Sequence, residues 1–298
     1  MNIRQAEAII ETSPNHRLLR RIPDPAEWRL SKAQAGRVRA VFIDTETTGL
    51  DLDRDEVIEL AIVPFDYDRE TGEIVEIFAE ESFAAFRRPT VPISLASSKI
   101  HGISDFDVRE TSISDHAVRK VVEPAQLVVA HNAAFDRPMV EKHWPIFSNK
   151  HWACSLVDVD WKEEGASSAA LESLLYMQRW FYEGHRALSD ATAALFLMTL
   201  PLPVTRKQAM TSLLISARKP LFAVRAEHAA FEQRALLKQR GYRWDAGGDG
   251  RPKGWWMLTS SPDEETRWLS SEVFASPRAI PVISVPPTKR FSSRMWEA

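Results

Sequence analysis

Along the chain, apolar positions gather in two kinds of run. Short, nearly unbroken runs bounded by polar turns read as buried strands, and longer stretches with an apolar residue every three or four positions read as helices. The first strand run, Val38 to Ile43 with one charge at Arg39, leads into Asp44-Thr45-Glu46-Thr47-Thr48-Gly49-Leu50. Val57 to Val63 and Ile74 to Phe78 follow, separated by a turn at Arg69 to Glu73, and the three runs predict an antiparallel meander. Gln126 to Ala130 and Trp152 to Val159 complete five predicted strands. Helices are predicted at Ile93 to Ile100, closed by Gly102, at Ser114 to Val122, and from the end of the fourth strand to about His143. Pro138 is expected near the start of that third helix. Two more helices, Ala169 to Arg179 and Arg186 to Leu200, close the pattern. A meander followed by alternating strands and helices implies an α/β fold, one mixed five-stranded sheet flanked by helices.

The flanks differ in texture. Residues 1–36 read as an N-terminal helical extension, with pieces at Ala6 to Ile10 and Ala26 to Lys32 ended by Gly36. The main domain spans 37–203, and Pro201 and Pro203 punctuate its end. Residues 204–225 are expected to be a linker, and 226–298 a small α+β C-terminal domain. In that domain a helix from Ala226 to Gln239 stops at Gly241. A hairpin, Tyr242 to Asp245 and Gly254 to Leu258, follows around a turn containing Gly247, Gly248 and Gly250, and a last helix opens at Pro262.

Composition narrows the class. At 298 residues and 44% hydrophobic, the chain can bury a large core, and no apolar run approaches the ~18 residues of a membrane span. The first residues lack the apolar stretch of a signal peptide. A single cysteine, Cys154, excludes an internal disulfide and any multi-cysteine zinc site, so a reducing cytoplasm is the expected compartment and Cys154 a small buried hydrophobe. The net charge of −3 conceals an asymmetry: from Val204 onward there are 16 Lys and Arg against 9 Asp and Glu, and before it 22 against 32. An acidic body with a basic tail suits a polyanionic partner.

The candidate chemistry lies in four acids. Residues i and i+2 of a strand point the same way, so Asp44 and Glu46 can converge on one point. Asp136 follows the fourth strand in His131-Asn132-Ala133-Ala134-Phe135-Asp136. Asp190 lies in a helix among the small residues Ala187, Ala191 and Ala194, where a carboxylate needs a partner. Taken singly, Asp44 and Glu46 read as solvated acids where a strand runs into a polar turn, Asp136 as a helix-start acid and Asp190 as a partnered or solvent-facing helix residue. Together they are most simply explained by two hard divalent cations about 4 Å apart.

Three segments, Phe42-Ile43-Asp44-Thr45-Glu46-Thr47-Thr48-Gly49-Leu50, His131 to Asp136, and His185-Arg186-Ala187-Leu188-Ser189-Asp190, resemble the motifs of the DnaQ-like 3′→5′ exonucleases. The match is to the subclass whose third motif is His-x4-Asp. Ser98 to Ser104 is also similar to a family stretch, and the resemblance covers roughly residues 38–200. Leu237 to Trp244 and Trp255-Trp256 are similar to the small C-terminal domain of exodeoxyribonuclease X-like proteins.

The resemblance implies a ribonuclease H-like fold and hydrolysis of DNA from the 3′ end to nucleoside 5′-monophosphates, in repair, proofreading or nucleotide turnover. It implies two Mg²⁺ or Mn²⁺ ions held by Asp44, Glu46, Asp136 and Asp190, with Asp44 bridging. His185 would be the general base, a task suited to a pKa near neutrality. Thr47, Thr48, Gly49 and Leu50 would meet the terminal nucleotide, with His101 and Phe135 as further substrate contacts, while His131 is read as structural. Single-stranded 3′ ends, DNA before RNA, are the expected partners. A DNA polymerase or repair partner stays open, and no membrane is involved. An exoribonuclease of the same fold and a non-catalytic nucleic-acid or polymerase-binding subunit are the alternatives.

Overall fold

A computed structural model describes residues 2–248, 251–274, 276 and 278–296. The chain forms two units, Met1–Ala217 and Arg218–Ala298. The first contains α1 (Ile3–Thr12), β1 (Arg20–Arg21), β2 (Arg37–Thr47), β3 (Val57–Asp68), β4 (Ile74–Ile77), β5 (Phe83–Phe86), α2 (Leu95–His101), α3 (Asp105–Val108), α4 (Asp115–Val122), β6 (Leu127–Ala130), α5 (Ala133–Glu141), β7 (His151–Cys154), α6 (Leu171–Met177), β8 (Trp180–Phe181), α7 (Ala187–Thr199) and α8 (Ala209–Ala217).

The predicted meander and crossovers form one mixed sheet in the order β4-β3-β2-β6-β7. β3 pairs antiparallel with β2 and β4, whereas β2–β6 and β6–β7 are parallel. A sixth strand, β5, pairs with the other half of β3, so two short strands share that edge. The alternation of β2 decides what lies on each face. Val38, Ala40 and Phe42 join the core that includes Ala187, Ala191 and Ala194 of α7, and those alanines let the helix pack closely over β2 and β3. α5 lies against β2 and β6.

Several predicted elements are corrected. The fifth strand stops at Cys154, because Asp158 accepts the Cys154 N–H at 2.8 Å and folds the chain into a turn. Ala26 to Lys32 forms no α-helix. Pro25–Glu27 make one 3-10 turn, and Trp28 is buried with its indole N–H on the Pro23 carbonyl at 3.0 Å. Pro138 sits six residues into α5, deeper than expected. The stretch expected as a linker contains α8, whose Ala209, Met210, Leu213 and Leu214 complete the main core. Cys154 is buried as expected, and His131 is a structural clasp, bonded to Ser155 Oγ at 2.8 Å and the Ala169 carbonyl at 3.0 Å.

The second unit contains β9 (Phe222–Glu227), α9 (Arg234–Arg240), β10 (Arg243–Asp245), β11 (Gly254–Thr259), α10 (Pro262–Trp268) and β12 (Val282–Ser284). Its sheet runs β10-β11-β9-β12. The hairpin is as predicted, with Trp244 opposite Trp255, and Gly241 in the left-handed conformation (φ 102°) ends α9. Gly250 of the turn lies outside the described residues. The helix expected from Ala226 begins only at Arg234, because Phe222–Glu227 is a central strand. Its Arg225 is buried and ion-paired to Glu227 and Asp245 at 2.9 and 2.8 Å. Trp255 belongs to one core face and Trp256 packs edge-on to Trp296, which leaves Trp244, 53% exposed, as the tryptophan open to a partner. No helix among the described residues is long and apolar enough to cross a membrane.

Candidate active site

Asp44 and Glu46 continue the face of β2 that carries Val38, Ala40 and Phe42, and α7 brings Asp190 onto the same face. Carboxylate oxygens of Asp44, Glu46 and Asp190 all lie within 4.8 Å of one another. Burial, reinforced by the charges of Asp136, Asp190, Glu46 and Glu59, pushes the Asp44 carboxyl well above the usual carboxylate range. Burial first, and then Asp190 and Glu59, push Glu46 up to about 8. Burial also raises Asp190, against hydrogen bonds that favour its ionised form.

Asp136 reaches this point from the first turn of α5. It stands outside the three-carboxylate group but close enough to raise Asp44. Its Oδ1 accepts the Thr45 hydroxyl at 2.8 Å, and burial holds it at about 7 despite that bond. Thr45 therefore faces the opposite way from its neighbours and ties β2 to α5.

Asp190 is oriented from two sides. The Tyr182 hydroxyl donates to Oδ1 at 2.6 Å, and the Arg186 N–H donates to Oδ2 at 3.0 Å. Burial and the Asp190 bond both push the Tyr182 phenol far above its ordinary range, so it remains a donor. His185 is exposed at the entrance to α7 with φ 68°, in the left-handed region that is uncommon for non-glycine residues but that histidine enters more readily than most. Glu59 on β3 is buried and accepts from Arg186 and from the Ala187 N–H at 3.2 Å. Neither Tyr182 nor Glu59 was singled out from the sequence. Glu59 did leave a signal, a charge inside the apolar run Val57 to Val63, whereas Tyr182 left none.

The residues expected to meet a substrate divide. Thr47 and Thr48 are buried and their hydroxyls hold the loop together. Thr47 donates to the Gly49 carbonyl at 2.6 Å, and Thr48 donates to Asp55 at 2.7 Å while accepting the Glu56 N–H at 3.0 Å. Gly49 leaves room for the Asp55 carboxylate, which a Cβ at that position would clash with. This loop presents Leu50, 82% exposed, at its tip. His101 is buried, its Nδ1 accepting the Ile103 N–H at 3.0 Å. That bond leaves the proton on Nε2, which is buried and faces the Thr47 backbone without a well-formed hydrogen bond. Phe135 is half-buried at the start of α5.

The donor set fits a hard divalent cation. It consists wholly of carboxylate oxygens gathered at the end of β2, whose pKa values are raised by burial first and, at Asp44 and Glu46, by neighbouring acids as well; a cation would offset both. Residues 41–198 match the RNase_T family, described as Exonuclease, over more than half of the chain. The chain belongs to this exonuclease family, and the DnaQ-like resemblance of its motifs extends through the whole domain.

A DNA polymerase III subunit epsilon-like protein of Rhodobacter capsulatus is 30% identical over 187 residues, 59% of this chain and 25% of that protein. A PolC-type DNA polymerase III of Thermotoga petrophila is 29% identical over 178 residues, 53% of this chain and 11% of that one. Mouse mitochondrial oligoribonuclease is 26% identical over 181 residues, 53% of this chain and 69% of its own. The chain thus spans a quarter or less of the PolC-type polymerase and the epsilon-like protein it matches. Among solved structures, exonuclease X in complex with 5′ overhanging duplex DNA aligns with a TM-score of 0.40 and 26% identity, over 58% of this chain and 99% of that one.

Proposed function

We propose that the protein is a 3′→5′ exonuclease that hydrolyses DNA from single-stranded 3′ ends and releases nucleoside 5′-monophosphates. The observation that carries this reading is the convergence of Asp44, Glu46 and Asp190 within 4.8 Å, with His185 at the entrance to the helix that supplies Asp190. Two Mg²⁺ or Mn²⁺ ions, when bound, would supply positive charge for the scissile phosphate and acidify a water. Asp44, at the centre of the acids, would hold both, with Glu46 and Asp190 as further ligands on the nucleophile side and Asp136 on the leaving-group side. His185, exposed beside them, takes the proton of the attacking water. Leu50 wedges against the last base, and His101 Nε2 donates a hydrogen bond to the terminal nucleotide, with Phe135 alongside. Thr47, Thr48 and Gly49 shape the loop that presents Leu50.

A second reading, a 3′→5′ exoribonuclease, is favoured by the oligoribonuclease relative. The intact set of acids and histidine speaks against a purely binding subunit, which has no need of a general base. The polymerase relatives support a replication or repair setting, with a polymerase as partner. Matched DNA and RNA oligonucleotides labelled at either end, digested with Mg²⁺ or Mn²⁺, test the reading. Stepwise shortening from the 3′ end with monophosphate products is expected, and it should stop with EDTA or with Asp44→Ala. Internal cuts, or cleavage that survives both treatments, would overturn the proposal.

A further inference from the structure

Glu59 is the charged residue in an otherwise apolar stretch of β3, and it is 3% exposed. It is the cross-strand partner of Glu46, so two acids lie directly opposite each other, an arrangement that destabilises a sheet unless a cation intervenes. The cation is Arg186. Its Nη2 and Nε reach Glu59 Oε1 and Oε2 at 2.8 and 3.2 Å in a two-pronged fork, and its charge also acts on Glu46. The Ala187 N–H, at the start of α7 where helix donors lack partners, bonds to the same carboxylate. Arg186 thus sits between two residues of the site: His185 precedes it in the left-handed turn, and its own backbone N–H holds Asp190.

We propose that Glu59 is a positioning residue, which anchors the Arg186 guanidinium away from Glu46 and fixes the turn that presents His185 and Asp190. This rests on reading the site as a cation-dependent exonuclease. The Arg186 side chain is 54% exposed, with its guanidinium also 5.2 Å from the centre of the Phe86 ring, and once it is released from Glu59 the carboxylate opposite is Glu46. A guanidinium stays charged at any working pH and would occupy the Glu46 oxygens in place of a divalent cation. One buried acid therefore keeps another available.

The test combines calorimetric Mn²⁺ titration with steady-state hydrolysis on the full chain. Glu59→Gln should weaken Mn²⁺ binding and lower kcat, each about 10–100-fold, as expected when a group behind a ligand is removed. In Glu59→Gln with Arg186→Gln the competing guanidinium is gone, so Mn²⁺ binding should return toward wild type. Its kcat should stay low, because the His185 turn is no longer held. Glu59→Asp keeps the charge and the fold but falls one methylene short of the Ala187 N–H, and should lower kcat while leaving KM and Mn²⁺ binding near wild type.

Wild-type Mn²⁺ affinity and kcat in Glu59→Gln would overturn the proposal, as would a double variant that binds Mn²⁺ no better than the single one. If circular dichroism shows Glu59→Gln unfolded, Glu59→Asp decides, and wild-type kcat there is the refuting result. Mn²⁺ binding requires no substrate. A wild-type protein that binds Mn²⁺ but degrades no nucleic acid would end the exonuclease reading while the binding series still judged Glu59.

Discussion

Asp44 sits where the fields of four other carboxylates meet, and folding must place it there without water around it. Asp44→Asn keeps the shape and removes the charge. Hydrolysis should fall below detection, and the cation-free protein should melt at a higher temperature than wild type at pH 8, as read by calorimetry in EDTA. The pH dependence has a definite sign. Glu46, raised from 4.5 to about 8, carries in the folded state a proton that the unfolded chain has already released. Its contribution to stability is fully present below about pH 4.5 and is lost as pH rises through about 8. Melting series in EDTA should show wild type losing more over that window than Asp44→Asn, and saturating Mn²⁺ should restore most at the alkaline end. His185→Ala should lower kcat about 10²–10⁴-fold, the loss expected for a general base, with Mn²⁺ affinity retained. Loss of Mn²⁺ binding in that variant would make the histidine a ligand instead.

At the scale of elements, the loop joining β2 to β3 is a small construction of its own. Thr48, Gly49, Asp51 and Asp55 lock together: Asp55 accepts the Thr48 hydroxyl and the Asp51 N–H at 2.7 and 2.8 Å, and fills the space beside Gly49. Gly49→Ala should push Asp55 aside and destabilise the domain by about 1–3 kcal/mol, the usual result of overpacking, measured by urea unfolding. Because the same loop aims Leu50, KM for oligonucleotides should also rise. Much of this level was legible in the sequence. β2 and α7 showed themselves because an apolar period runs straight into the acids, and the meander because its turn residues are distinctive. β5 was hidden, since Phe83-Ala84-Ala85-Phe86 is short and has no β-branched residue. The three acids on one face of β2 and α7 could be read from strand alternation and small helix neighbours. The clasp on them could not, because Glu59 and Arg186 stand 127 positions apart and only the fold makes them partners.

For the whole molecule, the division of charge continues to ask for an explanation. The second unit carries Trp244, 53% exposed, beside the exposed Arg243, and also Phe231, 73% exposed, with the Arg234 guanidinium 3.9 Å from its ring centre. Exposed aromatics next to arginine are the chemistry of single-strand stacking. Replacing Arg243 and Trp244 by alanine in the full chain should leave hydrolysis of a very short oligonucleotide unchanged. Binding of a long one should weaken, with a salt dependence shallower by about 0.7 for each phosphate the protein no longer neutralises. Equal salt slopes for the two proteins would remove the second unit from strand binding.

The placement of the acids along the chain also bears on when activity can first appear. Asp44 and Glu46 lie on β2, near the beginning of the domain, and Asp190 on α7, close to its end. A ribosome has made nearly all of the domain before the third carboxylate emerges, and β2 cannot settle at the centre of the sheet until β3 and β6 flank it. A nascent or truncated chain that stops short of α7 should therefore be inert, holding two acids without the third and without His185. On the proposed function, this fold completes its cutting centre last, and no early fragment of it should cut.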